Sequence, residues 1–542
     1  MSGANPWSRR KFLGVGAAGV LGAGAVAVGL PALGGLIPGG QPGLLLGSRV
    51  PLPKRYAVRL PIPSVLRPTR TDNTTDYYEI TARPGPAHLV PGHDTEVWGY
   101  QGMFPGPTIE SRSGRRTVVT HRNELPHPTV VHLHGGHMPH DSDGYPMDQI
   151  APRGGGAGGH GGGTGGHGGG TGGHGAGAMD GMPGMGPATV QPERVYDYPM
   201  NQRAATLWYH DHTMGFTGPN VYRGLAGFHL VRDDEEASLG LPHGPRELPL
   251  MIADRSFAAD GSFAYPALDP NEGKPGVRAA YMNGVLGDVI LVNGAPWPVA
   301  PVDRARHRLR ILNASNARRY RLELDPQPPG GGGLLQIGSD GGLLERPVTH
   351  DGIELAPAER FDVVVDFARY PAGSSVRLVN RLGSGGTAEV MRFDIGSASV
   401  RDESRVPRGT LAEVEKLDPA KAVATRTFVF QKSEDNWTIN GQDYKPGRSL
   451  AMPKLGQVEI WRFVTDFHHP VHLHLDPFQV VSRNAADPGE FDAGWKDTVD
   501  VLPAQGVEVA VRFTDYAGRF MLHCHNLEHE DMAMMAEFTT TR

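Results

Sequence analysis

Apolar and polar positions along this chain alternate with a period of two in short runs bounded by Gly/Pro turns, the pattern of half-buried β-strands. The pattern occurs three times. Y-Q-G-M-F-P-G-P-T-I from Tyr100 precedes T-V-V-T-H-R-N from Thr117. V-N-G-A-P-W-P-V from Val292 precedes R-L-R-I-L-N from Arg308, and I-N-G-Q-D-Y-K-P-G from Ile439 precedes V-E-I-W-R-F-V from Val458. Each is a turn followed by a β-rich strand, and each segment closes on similar strands at Gly227–Val231, Phe361–Val365 and Val507–Phe513. No long amphipathic helical pattern interrupts them. The chain therefore reads as all-β, with three Greek-key β-barrel or sandwich domains at residues 50–235, 245–396 and 426–542. A charged connector at 397–425 separates the second from the third.

Composition narrows the class. At 542 residues the chain is too long for one core. A net charge of −6 gives no sign of a nucleic-acid partner or a polybasic membrane patch. Residues 1–37 read as an export signal: Arg9-Arg10-Lys11-Phe12-Leu13 leads an apolar Gly/Ala-rich run to about Leu36, the form of a twin-arginine leader. Ala25-Val26-Ala27 is a candidate cleavage site. The run is also long enough for a membrane anchor, but no other stretch could span a bilayer, so removal of the leader leaves no membrane span. The expected location is extracytoplasmic.

The chemistry lies in the histidines. With 24 His in 542 residues, chance gives about one His-x-His pair, and the chain has four. They are His132/His134, His210/His212, His472/His474 and His523/His525, the last enclosing Cys524, the sole cysteine. That cysteine has no internal disulfide partner, which leaves metal binding or reactivity. A thiolate among imidazoles is a ligand set suited to copper. In an extended His523-Cys524-His525, the cysteine points one way and both histidines the other. One strand can thus feed two metal sites. His529, Met534 and His469 are candidate partners for Cys524, and two His, one Cys and a weak axial Met form the blue-copper set. The eight paired histidines could hold three more coppers. The second segment carries Arg321-Leu322-Glu323 roughly where the outer two carry H-L-H, so it lacks these ligands.

Residues 153–187 are low-complexity. His160, His167 and His174 are spaced by seven, followed by Met179, Met182 and Met185. Such a stretch buries too little apolar surface to fold. It reads as a surface loop, and its imidazoles and thioethers also suit copper capture.

The motifs H-L-H-G-G-H, W-Y-H-D-H, H-P-V-H-L-H and H-C-H-N-L-E-H-E-D-M-A-M-M resemble the multicopper oxidases, from about Tyr56 to the C-terminus. H-G-G-x-x-P-x-D-S-D-G-Y-P and H-C-H-x-L-E-H-E-D are most similar to bacterial spore-coat-type laccases, bilirubin oxidases and o-aminophenol oxidases. The resemblance implies three cupredoxin-like domains and four copper ions. His469, Cys524, His529 and Met534 would bind the type 1 copper, with Met532 and Met535 as nearby rivals for the axial place. His132 and His472 would bind the type 2 copper, and His134, His210, His212, His474, His523 and His525 the type 3 pair. Asp143 and Glu530 would deliver protons to reduced oxygen, a four-proton reaction for which buried carboxylates are ready relays. Asp211 is expected to face away as a structural group, and His127, His137, His140 and His468 to lie outside the ligand sets. The implied reaction is one-electron oxidation of phenols or aromatic amines, coupled to four-electron reduction of dioxygen to water. Two other readings stand beside it: a cuprous oxidase taking electrons from Cu(I), and a non-catalytic cupredoxin-fold copper-binding protein.

Overall fold

The computed structural model describes residues 40–153, 189–271, 273–433 and 436–542. Residues 40–542 of the described chain belong to one compact unit. Six larger sheets form three pairs in chain order, and two two-stranded sheets stand beside them, Leu44–Leu45 with Val285–Leu286 and Asp148–Ile150 with Thr189–Gln191. The first pair takes strands between Arg70 and Arg232, the middle pair between Glu247 and Ile395, and the last between Thr425 and Thr540. Each pair encloses its own apolar core, rich in β-branched and aromatic side chains that pack well on a pleated surface. The longest described α-helix, Thr217–Arg223, has seven residues.

The same topology recurs in all three pairs. In one sheet an opening strand runs parallel to a later one: Thr75–Val90 with Arg116–Asn123, Glu247–Arg255 with Arg306–Asn313, and Thr425–Ser433 with Val458–Thr465. In the other, Gly106–Arg112 lies parallel to Ala226–Arg232, Val299–Val302 to Glu389–Ile395, and Ser449–Ala451 to Met535–Thr540. Parallel neighbours cannot be joined by a hairpin, so the chain crosses between sheets, as a Greek key requires.

This repeat sets the place of the His-x-His pairs. Val131–His134, Tyr320–Asp325 and His469–Leu473 occupy equivalent positions in their sheets. Each pairs with an equivalent neighbour: Ala205–Asp211, Ser375–Asn380 and Gly518–Cys524. In the first sandwich His210 stands opposite His132. In the last, His523 stands opposite His472. In the middle one Leu322 faces Asn380, and no histidine is present.

Residues 50–60, assigned by pattern to the first domain, run along the middle pair instead. Leu60 donates its backbone N–H to Val299, Tyr56 to Trp297, and Val50 and Leu60 join the middle core. Their short Pro-broken run has no alternation strong enough to announce a partner.

The seam between the first and middle sandwiches is ionic and buried. Arg310 donates to Glu236 at 2.9 Å and to Thr206 at 3.0 Å, and Arg308 to Glu236 and Asp362 at 2.8 Å. Burial would raise Glu236 and Glu247, but the charges of Arg310 and Arg308 outweigh it and hold both below the usual carboxylate range. Removing one partner strands buried charge, at a cost of about 3–5 kcal/mol. Arg310→Met is therefore expected to lower the thermal midpoint at neutral pH. Because these carboxylates are depressed, the network's contribution is present above the ordinary Glu value and is lost as pH falls through the folded one. A midpoint unchanged at neutral pH would contradict this reading of the seam.

Candidate metal centre

Two sets of ligand-type side chains meet in the interior. The first surrounds Cys524, which ends the strand Gly518–Cys524. Its Sγ lies 3.4 Å from His469 Nδ1 and 3.5 Å from His529 Nδ1, and those two nitrogens are 3.2 Å apart. His529 sits on the short helix Leu527–Asp531 that follows the strand. All three are fully buried. Met534 is buried in the same core cluster as Cys524, while Met535 packs with Tyr145, Met214 and Met521. The alternation of side chains along an extended segment separates the two methionines. Met532 is half-buried against the Cys524 cluster.

The second set gathers His132, His134, His210, His212, His472, His474, His523 and His525 where the first and last sandwiches meet. Close groupings within it are His132/His134/His210, His132/His472/His474 and His212/His474/His523. His132 and His472 bring their Nε2 atoms to 3.4 Å, and His474 and His523 bring theirs to 3.1 Å. The strand geometry of His523-Cys524-His525 thus divides as the period of two requires, with sulfur on one side and both imidazoles on the other.

The hydrogen bonds around these rings decide which nitrogen is left for a metal. A neutral imidazole has one N–H and one lone pair, and the partner of the first frees the second. His132 Nδ1 donates to the Asp143 carbonyl at 2.5 Å, His472 Nδ1 to the Asp497 carbonyl at 2.9 Å, and His474 Nδ1 to Asp143 Oδ2 at 2.7 Å. His210 Nδ1 donates to the Asp211 carbonyl at 2.8 Å. In each case Nε2 is left facing the cluster. His134 is reversed: its Nε2 donates to Asp497 Oδ1 at 2.9 Å, and its Nδ1 has no partner. His210 Nε2 and both ring nitrogens of His212 and His525 are likewise buried without partners. Unpaired buried polar atoms are expensive, and so many converging lone pairs fit metal ions. Burial, then neighbouring imidazoles, holds His132, His134, His472 and His474 well below the ordinary range, in the neutral form that a metal requires. Burial also pushes the Cys524 thiol up, whereas coordination would deprotonate it.

Two carboxylates border the cluster on different sides. Asp143 lies beneath His132 and His474, and burial raises it to about 7. Glu530 accepts from Thr217 Oγ1 at 2.8 Å and lies 3.3 Å from His523 Nδ1 and 3.5 Å from His212 Nδ1. Burial would raise Glu530, but His523 and His212 outweigh it and pull it down. Asp211 accepts from Val130 N, Thr213 N and Oγ1, and Asn220 Nδ2, which fully explains it as a structural group. His140 pairs with Asp141 near the surface, and the His127 ring lies 5.8 Å from that of Trp98. His468 is buried with no hydrogen bond to either nitrogen. None of these joins a ligand grouping among the described residues.

Residues 417–542 match a family model described as multicopper oxidase, and residues 82–155 and 167–236 match a second of the same description. A laccase of Bacillus subtilis (strain 168) is 34% identical over 545 residues, covering 90% of this chain and 99% of that protein. The chain belongs to the multicopper oxidase family. This multicopper oxidase is also 32% identical to a bilirubin oxidase of Albifimbria verrucaria, over 90% of this chain and 81% of that one. A crystal structure of a laccase from Pediococcus acidilactici superposes with a TM-score of 0.76 at 31% identity, covering 92% of this chain and 96% of the other. The three sandwiches are accordingly cupredoxin-like domains.

Sequence reasoning missed several residues of the oxidase site. Asp497 serves His134 and His472 together. Trp437 stacks on His529 with ring centroids 3.9 Å apart. A cavity of about 390 Å³ runs from the exposed Glu413 and Glu415 to His132, His472 and His474. His137 stands on its wall, with Nδ1 3.2 Å from Asp476 and Nε2 2.6 Å from Asp515. Burial alone would lower His137, but the two carboxylates outweigh it and raise the imidazole to about 9. A histidine raised in the folded state stabilises fully below its unfolded value near 6.5, and that stability is lost as pH rises through about 9. The thermal midpoint of wild type should exceed that of His137→Gln below pH 6.5, with the gap closing toward pH 9 and above. A gap constant over that window would show that the ion pairs contribute nothing.

Proposed function

We propose that this multicopper oxidase is laccase-like: it takes single electrons from small phenols or aromatic amines and reduces dioxygen to water. The observation that carries the reading is the division at His523-Cys524-His525. There one strand end joins a Cys/His₂ set to a cluster of eight imidazoles. On this reading His469, Cys524, His529 and Met534 hold a type 1 copper. His132 and His472 hold a type 2 copper, and His134, His210, His212, His474, His523 and His525 a type 3 pair, four coppers in all. Bound copper would supply the one-electron chemistry and the reduction of dioxygen.

The chain's own residues do the rest. Cys524 and His523 are consecutive, so the backbone gives electrons a short covalent path from the donor side to the imidazole cluster. The donor side is the His469 or His529 edge. Asp466, exposed and 3.6 Å from His469 Nε2, marks where that edge nears solvent. Trp437 covers the face of His529 and excludes water there. Asp143 and Glu530 border the cluster from two sides and pass protons toward it. The 390 Å³ cavity gives dioxygen a way in and water a way out.

Export by the twin-arginine route is the reading of residues 1–37, which lie outside the described residues, as do 154–187 of the His/Met-rich loop. Among the described residues no helix is long and apolar enough to cross a membrane. The His/Met composition of that loop supports a second reading, oxidation of Cu(I).

Oxygen uptake by the copper-loaded chain tests these readings, with a methoxyphenol, o-aminophenol, bilirubin and Cu(I) as donors. Uptake is expected with the organic donors. It should be lost in Cys524→Ser, while copper bound by the eight histidines is retained. Uptake with Cu(I) alone would replace the laccase reading by the second one. No uptake with any donor despite full copper loading would overturn both.

A further inference from the structure

The middle sandwich supplies no ligand, yet one of its side chains reaches the imidazole cluster. Arg360 opens the strand Arg360–Asp366 and is fully buried. Its guanidinium touches all three sandwiches. Nε donates to the Thr206 carbonyl of the first at 2.9 Å, and Nη1 to the Ala358 carbonyl of its own at 3.1 Å. Toward the last sandwich, Nη1 donates to Asp497 Oδ1 at 2.7 Å and Nη2 to Asp497 Oδ2 at 2.5 Å, a two-pronged fork. Asp497 in turn accepts from His134 Nε2 on Oδ1 and from His472 Nδ1 on its carbonyl. Like Asp143 with His132 and His474, it fixes two imidazoles from different domains, and it sets the reversed tautomer of His134.

The surroundings are shaped around this fork. Gly135 follows His134 with φ +83°, and a Cβ there would stand 2.6 Å from Arg360 Nη2 and 2.8 Å from Asp497 Oδ2. Only glycine leaves the space that the pair fills. Asp340 of the middle sandwich steadies both partners. Its Oδ1 accepts from the Arg360 N–H at 2.7 Å and its Oδ2 from the Asp497 N–H at 3.3 Å, and Oδ2 also forms an ion pair with Lys496 Nζ at 3.1 Å. Gly341 donates its backbone N–H to the Trp495 carbonyl at 2.8 Å, joining the two segments. Thr498, next to Asp497, stands opposite His472 in the sheet, so fixing Asp497 also fixes the end of the His472 strand.

We infer that Arg360 is a positioning residue for the copper cluster: through Asp497 it orients His134 and His472, and the ligand-free middle domain thereby sets the type 2 site. This rests on the copper assignment proposed above. A guanidinium suits the task because its planar fork grips both carboxylate oxygens, which a lysine ammonium cannot do. Partners that orient metal-bound histidines are commonly worth 10–100-fold in metal affinity.

The test follows copper rather than turnover. Wild type, Arg360→Lys and the double variant Arg360→Met/Asp497→Asn are loaded with copper and challenged with a graded chelator. The type 2 signal is read by electron paramagnetic resonance and the type 1 copper by its visible absorption. The double variant removes both buried charges together, so it avoids the penalty of stranding one and keeps the test open if the single variant folds poorly. Both variants should release type 2 copper at roughly 10–100-fold lower chelator than wild type, with type 1 absorption and thermal midpoint near those of wild type. Retention of type 2 copper at wild-type chelator levels would overturn the inference. So would parallel loss of both signals in both variants, which would mean that the pair only holds the fold together. A wild type that never shows a type 2 signal would instead defeat the copper assignment itself.

Discussion

The structure depends on the choice each buried imidazole makes between its two nitrogens. In water that choice is free. In a dry interior every unpaired nitrogen is costly, so the N–H must find an oxygen and the lone pair must find something else. Here the oxygens are the carbonyls of Asp143, Asp211 and Asp497 and the carboxylates of Asp143 and Asp497. They lie on the outside of the cluster. The lone pairs are therefore turned inward, toward each other, as a set of metal ligands requires. These outer bonds fix the geometry of the centre.

The architecture exists to bring such oxygens and rings together. Two sandwiches of the same topology each place a His-x-His pair on equivalent strands, with His210 opposite His132 and His523 opposite His472. Their meeting doubles each pair into a cluster. The middle sandwich has the same strands with Leu322 and Asn380 at the corresponding pairing, and it has become a clamp. Buried arginines from it reach outward, Arg310 to the first sandwich and Arg360 to the last. On the proposed function, electrons and protons would use separate routes through this frame, the first along the backbone from Cys524 to His523 and the second past the carboxylates of Asp143 and Glu530.

Much of this was legible in the sequence because strand geometry is local. The period of two predicts that Cys524 and its flanking histidines face opposite ways, whereas the choice of Met534 over Met532 and Met535 rests on the spacing of the family motif. Gly/Pro turns before alternating runs reveal the threefold repeat. What the sequence hides is contact between distant segments. His134 and Asp497 are hydrogen-bonded across 363 positions. Nothing in R-F-D-V-V-V distinguishes Arg360 from a solvent-facing strand residue, and nothing in K-D-T-V marks Asp497. The stacking of Trp437 on His529 and the path of residues 50–60 along the middle sandwich are hidden for the same reason. Each is decided by packing between segments far apart in the chain, where pattern along one strand carries no information.

The most direct measurement of the central claim is anomalous diffraction at the copper edge from crystals of the copper-loaded protein. The account predicts one peak enclosed by His469, Cys524 and His529, and three among the eight paired histidines, where His134 alone of the rings hydrogen-bonded to Asp143, Asp211 or Asp497 presents Nδ1. A single peak among the eight histidines, or a His134 bound through Nε2 with its bond to Asp497 broken, would contradict it.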